Sequence, residues 1–254
     1  MRRRDFLATS ATATVIASTN ALSISPASVF AHANIGEPNK LIPPADGPIT
    51  VAFALSRGAT MIDFAGPWEV FQDVMIPVKA VETKATQVGQ QSHANQRMAF
   101  NLYTVSEKTD PFEASAGMKI TPDYTFDTAP APKVVVIPAQ SGSPALHAWL
   151  RKIVDSTDVT MSVCTGAFQL GRAGLLAGKA ATTHHEFFDQ FAKAFPDVKL
   201  KRGLRFVENE KISTAGGLTS GIDLALRVVE RYFGRELAEQ TAVYMEYQSR
   251  GWIV

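Results

Sequence analysis

The sequence predicts an α/β protein with a doubly wound, mostly parallel sheet and helices on both faces. One observation is that short runs of consecutive apolar residues, typical of strands buried on both faces, alternate with segments of helical apolar spacing. Another is that the chain contains no internal repeat, and the 221 residues that follow position 33 suit one α/β domain. Alternating strands and helices form parallel sheets with right-handed crossovers, and such sheets bind ligands at the carboxyl ends of their strands.

The alternation begins at residue 49, after a Pro-rich lead-in (34–48) that we interpret as an extended tail. Apolar or β-branched runs predict strands at 49–55, 100–106, 134–138, 160–164 and 180–184, and residues 119–126 predict a short strand or an extended arm. Helical spacing predicts helices at 61–74, 144–156, 166–178, 186–195, 221–234 and 235–248. Residues 204–215 predict a hairpin, and the polar segment 82–97 predicts a solvated loop at the edge opposite the ligand site. We therefore expect a single domain over residues 49–254.

Residues 1–33 have the composition of an export signal. Three arginines precede Phe6 and Leu7, a small-residue apolar stretch follows, and Ala31-His32-Ala33 is a small-x-small cleavage sequence. Consecutive arginines before x-Phe-Leu favour a twin-arginine signal over a general secretory one. The stretch is too polar to form a stable membrane span. We expect cleavage after Ala33 and a periplasmic mature protein.

The mature chain is expected to be almost neutral. Removing residues 1–33 leaves 22 basic and 23 acidic residues, a net charge of −1, without a polybasic patch. Nucleic acid binding depends on a positive surface that this composition lacks, so we expect no nucleic acid partner.

Cys164 is the only cysteine, and it lies where a predicted strand passes through Thr165 and Gly166 into a helical pattern. This arrangement resembles a nucleophile elbow, in which a tight turn holds a side chain above the sheet. Helix-terminal amides and the helix dipole stabilise a thiolate, so we expect the pKa of the Cys164 thiol to be lowered. The alternative is a small buried side chain without a chemical role, the usual fate of a free cysteine.

Two further candidates are expected at the same edge of the sheet. His184 ends the next predicted strand, and His185 points to the other face if that strand continues. The alternative for His184 is a structural histidine bonded to the backbone. Asp63 follows the first strand near Pro67, which interrupts helical hydrogen bonding, and its alternative role is a helix N-cap. No ligand set with recognisable spacing accompanies Cys164, so we expect neither a metal nor a cofactor.

Four segments resemble the PfpI-type (DJ-one/PfpI) superfamily, which has a flavodoxin-like, class I glutamine-amidotransferase-like fold. They are 62–71 (IDFAGPWEVF), 115–130 (SAGMKITPDYTFDTAP), 162–185 (SVCTGAFQLGRAGLLAGKAATTHH) and 213–231 (STAGGLTSGIDLALRVVER). Cys-Thr-Gly with Thr-Thr-His twenty residues later is typical of the superfamily. Asp-x-x-Gly-Pro-x-Glu-Val-Phe is similar to its isonitrile hydratase branch.

The resemblance implies a role for each candidate residue. Cys164 is implied as the nucleophile, Asp63 as the acid/base carboxylate hydrogen-bonded to it, Thr165 as a neighbouring donor and His184 as a pocket residue. Relatives usually carry Pro-Gly-Gly where this chain has Pro138-Ala139-Gln140. If that turn requires a left-handed residue, strain at Ala139 or Gln140 displaces the oxyanion donor.

These residues lead to three functional hypotheses. The first is a hydratase in which Cys164 adds to a small electrophile, converting an isonitrile to an N-substituted formamide with Asp63 as acid and base. The second is a non-catalytic redox or electrophile sensor that uses Cys164. The third is a glyoxalase-like activity on methylglyoxal. The two enzyme hypotheses imply a small-molecule substrate as partner, whereas in the sensor hypothesis the fold reports the state of Cys164 to a partner.

The resemblance also implies a homodimer. The two closing helices carry apolar residues beyond one core face: Leu237, Val243, Tyr244, Tyr247 and Trp252. The alternative is that these residues cover their own sheet.

Overall fold

The computed structural model of the protein describes residues 31–33, 40–77 and 96–253. Residues 1–30 of the predicted export signal therefore lie outside the described residues, and so does most of the polar loop predicted at 82–97. Residues 34–39 of the lead-in are also outside, while 40–48 lead directly into the first buried strand.

The described residues form fourteen strands. They are β1 (Ala31–Ala33), β2 (Ile49–Ala54), β3 (Met75–Pro77), β4 (Gln96–Met98), β5 (Phe100–Ser106), β6 (Phe112–Glu113), β7 (Lys119–Ile120), β8 (Tyr124–Thr125), β9 (Val134–Ile137), β10 (Val159–Ser162), β11 (Ala180–Ala181), β12 (Lys199–Leu200), β13 (Leu204–Glu208) and β14 (Ile212–Ala215). The α-helices of the same residues are α1 (Met61–Gln72), α2 (Pro144–Ile153), α3 (Ala167–Arg172), α4 (Phe188–Ala194), α5 (Ser220–Phe233) and α6 (Arg235–Tyr244).

The central sheet has the strand order β1-β13-β14-β10-β9-β2-β5-β8. Its neighbouring strands are parallel except β13 and β14, which form the predicted hairpin. The first buried strand, β2, lies between β5 and β9, so the chain winds outward from it in both directions. This confirms the predicted doubly wound, mostly parallel sheet.

Helices cover both faces of this sheet and bury separate cores. The core on one face includes residues of α1, α5 and α6, and the core on the other includes residues of α2, α3 and α4. In β2, Val51 and Phe53 face the first core while Ala52 and Ala54 face the second. A strand buried on both faces is apolar at consecutive positions, which explains the run that predicted it.

Several predicted elements are shorter than the sequence pattern indicates or are interrupted. The segment predicted at 119–126 is divided into β7 and β8, which lie in different sheets, and the last predicted helix ends at Tyr244. The helix predicted at 166–178 ends at Arg172 and continues as turns through Gly178. The strand predicted at 180–184 ends at Ala181, and this short strand, β11, pairs with β12 outside the central sheet. His184 and His185 therefore lie on a turn and not on alternating faces of a strand.

The apolar residues of the closing helices divide into two sets. Trp252 is buried, and Leu237 and Tyr247 pack against the domain core, so these three cover their own sheet. Val243 and Tyr244 remain exposed at the end of α6. None of the helices in the described ranges combines the length and apolar character that a membrane span requires.

Candidate active site

Cys164 lies at a sharp turn between β10 and α3. The residue is left-handed, with φ of 57°, and it begins a 3-10 turn, Cys164–Gly166, that runs directly into α3. Its backbone is fixed on both sides: its N–H donates to the carbonyl of Gly216 at 2.7 Å, and the Thr183 hydroxyl donates to its carbonyl at 2.9 Å. A strained, over-determined backbone of this kind is typical of functional sites. The thiol is buried, with the residue 7% exposed.

Asp63 reaches the same site from the first turn of α1. The helix begins after Thr60, which occupies the N-cap position, so the alternative prediction that Asp63 caps the helix is wrong. Gly66 permits close packing of α1 on α5, because a Cβ at this position would lie 2.7 Å from the Ile222 side chain. The helix continues through Pro67 to Gln72. This docking places the Asp63 side chain in the interior, where the residue is 0% exposed.

The two oxygens of the Asp63 carboxyl have different surroundings. Oδ2 accepts a hydrogen bond of 3.0 Å from the backbone N–H of Ala139. Oδ1 is buried, and no group in the described part of the chain meets it at hydrogen-bond geometry. The Cys164 thiol also interacts with this carboxyl. A buried oxygen without a full partner, beside a thiol, is suited to receive a proton.

Burial raises the pKa of Asp63 to about 7. The Ala139 hydrogen bond and the interaction with Cys164 oppose this change and leave it incomplete. Asp63 therefore exchanges its proton near neutral pH, as a general acid or base must.

The thiol does not have the lowered pKa that the sequence predicted. Burial and the neighbouring Asp63 carboxylate raise the pKa of Cys164 to about 11, although the backbone amides of Thr165 and Leu218 favour the thiolate. The prediction took account of the helix-terminal amides and underestimated desolvation, so it is wrong for the free protein. The thiol requires a base to take its proton, and Asp63 is the carboxylate that interacts with it.

Thr165 and Leu218 supply backbone amides that interact with the Cys164 thiol. Thr165 follows the nucleophile in the 3-10 turn, as the motif predicted. Leu218 is left-handed, with φ of 52°, and lies between β14 and α5. Leu218 could not be identified from the sequence, because its approach to the sulfur depends on the path of the loop between β14 and α5.

His184 lies next to that loop but makes no hydrogen bond with Cys164 among the described contacts. Its Nδ1 accepts a bond of 3.3 Å from the Glu186 N–H, and its ring stacks on that of His185 at 4.4 Å. A Cβ on Gly217 would lie 2.3 Å from its Cδ2 atom, so the ring packs directly on the backbone before Leu218. The alternative of a backbone-bonded histidine fits these contacts. The prediction for His185 depended on the strand continuing to it; the strand ends at Ala181, so that condition is not met.

The turn 138–140 is not strained. Neither Ala139 nor Gln140 is left-handed, and the positive φ of this loop falls on Gly142, at 69°. The Ala139 N–H is occupied by the Asp63 carboxylate in the free protein. This amide therefore supports Asp63.

Within the described residues, no group of three or more His, Cys, Asp or Glu side chains is arranged to hold a metal ion. Cys164, Asp63 and Thr165 meet at one point, and His184 supports the adjoining loop.

The sequence of residues 49–231 matches the model of the DJ-1/PfpI family. The chain belongs to this family. Among curated relatives, it is 32% identical over 143 residues to the isonitrile hydratase of Pseudomonas putida, covering 54% of this chain and 61% of the relative. It is also 32% identical over 175 residues to the HTH-type transcriptional regulator CdhR of Pseudomonas aeruginosa, covering 66% of this chain and 50% of the regulator. The chain thus spans less than two thirds of the length of either relative.

Solved structures have the same fold. A ThiJ/PfpI family protein from Pseudomonas syringae superposes with a TM-score of 0.65 at 26% identity, covering 80% of this chain and 76% of that one. DJ-1beta of Drosophila melanogaster superposes with a TM-score of 0.62 at 15% identity, covering 80% of this chain and 100% of that one. The second likeness concerns the fold alone.

Proposed function

We propose that this protein is a cysteine-dependent hydratase, a lyase that adds water to a small electrophile of the isonitrile class and releases an N-substituted formamide. The observation that carries the proposal is the buried Asp63 carboxyl, which has a pKa of about 7, interacts with the Cys164 thiol, and has one oxygen that no described group satisfies at full hydrogen-bond geometry. The similarity to an isonitrile hydratase supports the substrate class.

The first half of the reaction forms a covalent intermediate. Asp63, ionised above pH 7, takes the proton of the Cys164 thiol as the sulfur attacks the terminal carbon of R–N≡C. That carbon becomes a nitrogen-stabilised anion, and the protonated Asp63 returns the proton to it. The product is a thioimidate, R–N=CH–S–Cys164, and Asp63 is again a carboxylate.

The second half consumes water and regenerates the enzyme. Asp63 takes a proton from a water molecule as its oxygen adds to the thioimidate carbon, and the nitrogen receives that proton. The resulting R–NH–CH(OH)–S–Cys164 loses its sulfur, while the hydroxyl proton passes back to the thiol. R–N≡C and water are thereby converted to R–NH–CHO. The Thr165 and Leu218 amides stabilise the negative charge on the departing sulfur.

One observation favours the sensor alternative. The chain is similar to proteins described as HTH-type transcriptional regulators. A sensor requires oxidation or alkylation of Cys164 but no turnover, and a proton donor at Asp63 would only tune that reaction. Methylglyoxal tests the remaining glyoxalase-like alternative.

The proposal is tested by incubating the chain from Asn34 with small aliphatic and aromatic isonitriles and with methylglyoxal, and following products by proton NMR. We expect formamide from the parent and none above background from Cys164→Ser, which keeps the shape but not the thiol. Lactate instead of formamide would assign the glyoxalase-like activity. Stoichiometric modification of Cys164 without turnover would favour the sensor.

We also propose that the mature protein acts in the periplasm after a twin-arginine signal is removed behind Ala33. Cleavage there would remove β1, an edge strand, and leave the rest of the central sheet intact. Intact-mass measurement of periplasmic protein checks this, with Asn34 expected as the first residue.

We further propose a homodimer, supported by the exposed Val243 and Tyr244 at the end of α6. Light scattering at micromolar concentration should give twice the chain mass, and Tyr244→Glu should reduce it to one chain mass. A monomer for the parent would refute the pairing.

A further inference from the structure

Gln169 is an interior amide that joins the helix after Cys164 to the loop after β9. It lies on α3 and is 1% exposed. Its Nε2 donates to the backbone carbonyl of Gln140 at 3.0 Å and lies 3.5 Å from that of Ser141. Its Oε1 lies 2.8 Å from Nε2 of His147 on α2. A buried amide with its donors and acceptor all engaged specifies one loop geometry.

Gly142 shows how closely the loop fits this amide. A Cβ at Gly142 would lie 2.1 Å from Oε1 of Gln169, and the residue is left-handed with φ of 69°. A side chain at this position is therefore excluded both by space and by backbone conformation. The Gln169 amide therefore packs directly against the backbone of Gly142.

The same loop fixes the catalytic carboxyl on its other side. The Ala139 N–H donates to Asp63 Oδ2 at 3.0 Å, and the Ala139 carbonyl accepts from the Thr60 N–H at 2.9 Å. Gln169 thus donates to the carbonyl of Gln140, and Gln140 directly follows Ala139, whose N–H binds Asp63. Continuous hydrogen bonds connect α2, α3, the loop and the start of α1.

We propose that Gln169 is a positioning residue for Asp63: it holds the 138–142 loop so that the Ala139 amide stays on the carboxylate, and His147 fixes the orientation of Gln169. This inference rests on the proposed function for its catalytic consequence. Gln169 does not touch the substrate, and it acts only through the loop.

The proposal has a directional consequence for the proton exchange of Asp63. The Ala139 hydrogen bond stabilises the ionised carboxylate and lowers the pKa of Asp63, while burial raises it. The other titratable group that acts on this carboxyl is Cys164. Loosening the loop weakens the Ala139 bond and leaves burial in place, so Asp63 should ionise at higher pH.

The test compares the pH dependence of the parent with that of Gln169→Met, which keeps length and apolar volume but cannot donate to the loop. The readouts are the rate of Cys164 alkylation by iodoacetamide and the carboxyl carbon shift of Asp63 by NMR, neither of which requires isonitrile turnover. We expect the Asp63 midpoint to move upward by about one pH unit, the scale of one hydrogen bond to a charged group. His147→Ala, which frees only the far end of Gln169, should move it less and in the same direction.

Thr160→Val is the matched control. Thr160 lies on β10, and its hydroxyl is 3.0 Å from that of Thr157. The substitution removes this buried contact without touching the 138–142 loop. It should cost stability and leave the midpoint unchanged. An unchanged midpoint in both Gln169→Met and His147→Ala, with only a uniform loss of rate or stability, would overturn the proposal. A shifted Asp63 midpoint in a protein that makes no formamide would support the positioning role of Gln169 and reject the hydratase assignment.

Discussion

Asp63 and Asp223 are equally buried but have very different partners. Both are 0% exposed, and both lie in the first turn of a helix on the same face of the sheet. Oδ2 of Asp223 accepts from Arg205 Nε at 2.6 Å, and its Oδ1 accepts from the Tyr247 and Ser249 hydroxyls at 3.2 and 3.1 Å. Among the described residues, Asp63 has the Ala139 amide and the neutral Cys164 thiol as partners and no cation. Burial alone therefore does not distinguish a structural carboxylate from a reactive one, whereas the number and charge of its partners do.

The energetic consequences of this difference follow from desolvation. A buried charge is stable when a cation and donors replace the lost water, as at Asp223. Where they do not, the neutral form is favoured and the pKa rises, as at Asp63. The incomplete polar contacts of Asp63 thus leave a carboxyl that exchanges its proton near pH 7.

The largest expected effect is on the pH dependence of stability. The folded pKa of Asp63, about 7, exceeds its ordinary value of 3.8, so the folded state holds a proton that the unfolded chain has lost. Its contribution is present below pH 4 and is lost as pH rises to 7, by up to about 4 kcal/mol for a complete change. Urea unfolding of the parent and Asp63→Asn from pH 4.5 to 8 should show the variant gaining relative stability across this window. Parallel curves would mean that Asp63 has an ordinary pKa.

Asp223→Asn should have the opposite effect. It leaves the Arg205 guanidinium without its charge partner and is expected to cost about 3 kcal/mol or more. The same unfolding measurement at pH 8 should rank Asp223→Asn as much less stable than Asp63→Asn. The reverse ranking would break the comparison between the two carboxylates.

A smaller effect is expected from alanine substitution of one glycine in each region, Gly217 near Cys164 and Gly251 beside Asp223. A Cβ on Gly217 would meet the His184 ring at 2.3 Å, and a Cβ on Gly251 would meet Asp223 Oδ2 at 2.9 Å. Both alanine variants should be destabilised, by roughly 1–3 kcal/mol. Only Gly217→Ala should change the alkylation rate of Cys164, because it displaces the loop that carries the Leu218 amide. Adding His184→Ala to Gly217→Ala should restore the rate if the ring contact is the cause.

Much of the fold could be predicted from the sequence because its signals are local. The two-faced burial of β2 gives a continuous apolar run, and the hairpin at 204–215 has its turn in three polar residues. Cys164 and Asp63 could be placed because both follow buried strands at the carboxyl edge. The end of β11 at Ala181 was missed, because its pairing with β12 depends on a segment further along the chain.

The remainder of the site depends on contacts that are distant in sequence. Ala139 is 76 residues from Asp63, and Gln169 is 29 residues from the carbonyl that it binds. The raised pKa of Cys164 comes from the depth of burial and from a carboxylate on another element. In the sequence, Gln169 is distinguished only as a polar amide in the apolar helix that follows Cys164. Its partners, the Gln140 carbonyl and His147, are brought to it by folding.

The central claim is that Asp63 transfers the proton that Cys164 chemistry requires. The most direct test is formamide production from a small isonitrile by the parent and by Asp63→Asn, measured by proton NMR from pH 5 to 9. We predict that the parent rate rises with a midpoint near the Asp63 pKa of about 7, since the protonated carboxyl cannot accept the thiol proton. The variant should be slower by on the order of 10² or more and should lose that midpoint, while its thiol remains open to iodoacetamide. A variant that makes formamide as fast as the parent, with the same pH profile, would contradict the account.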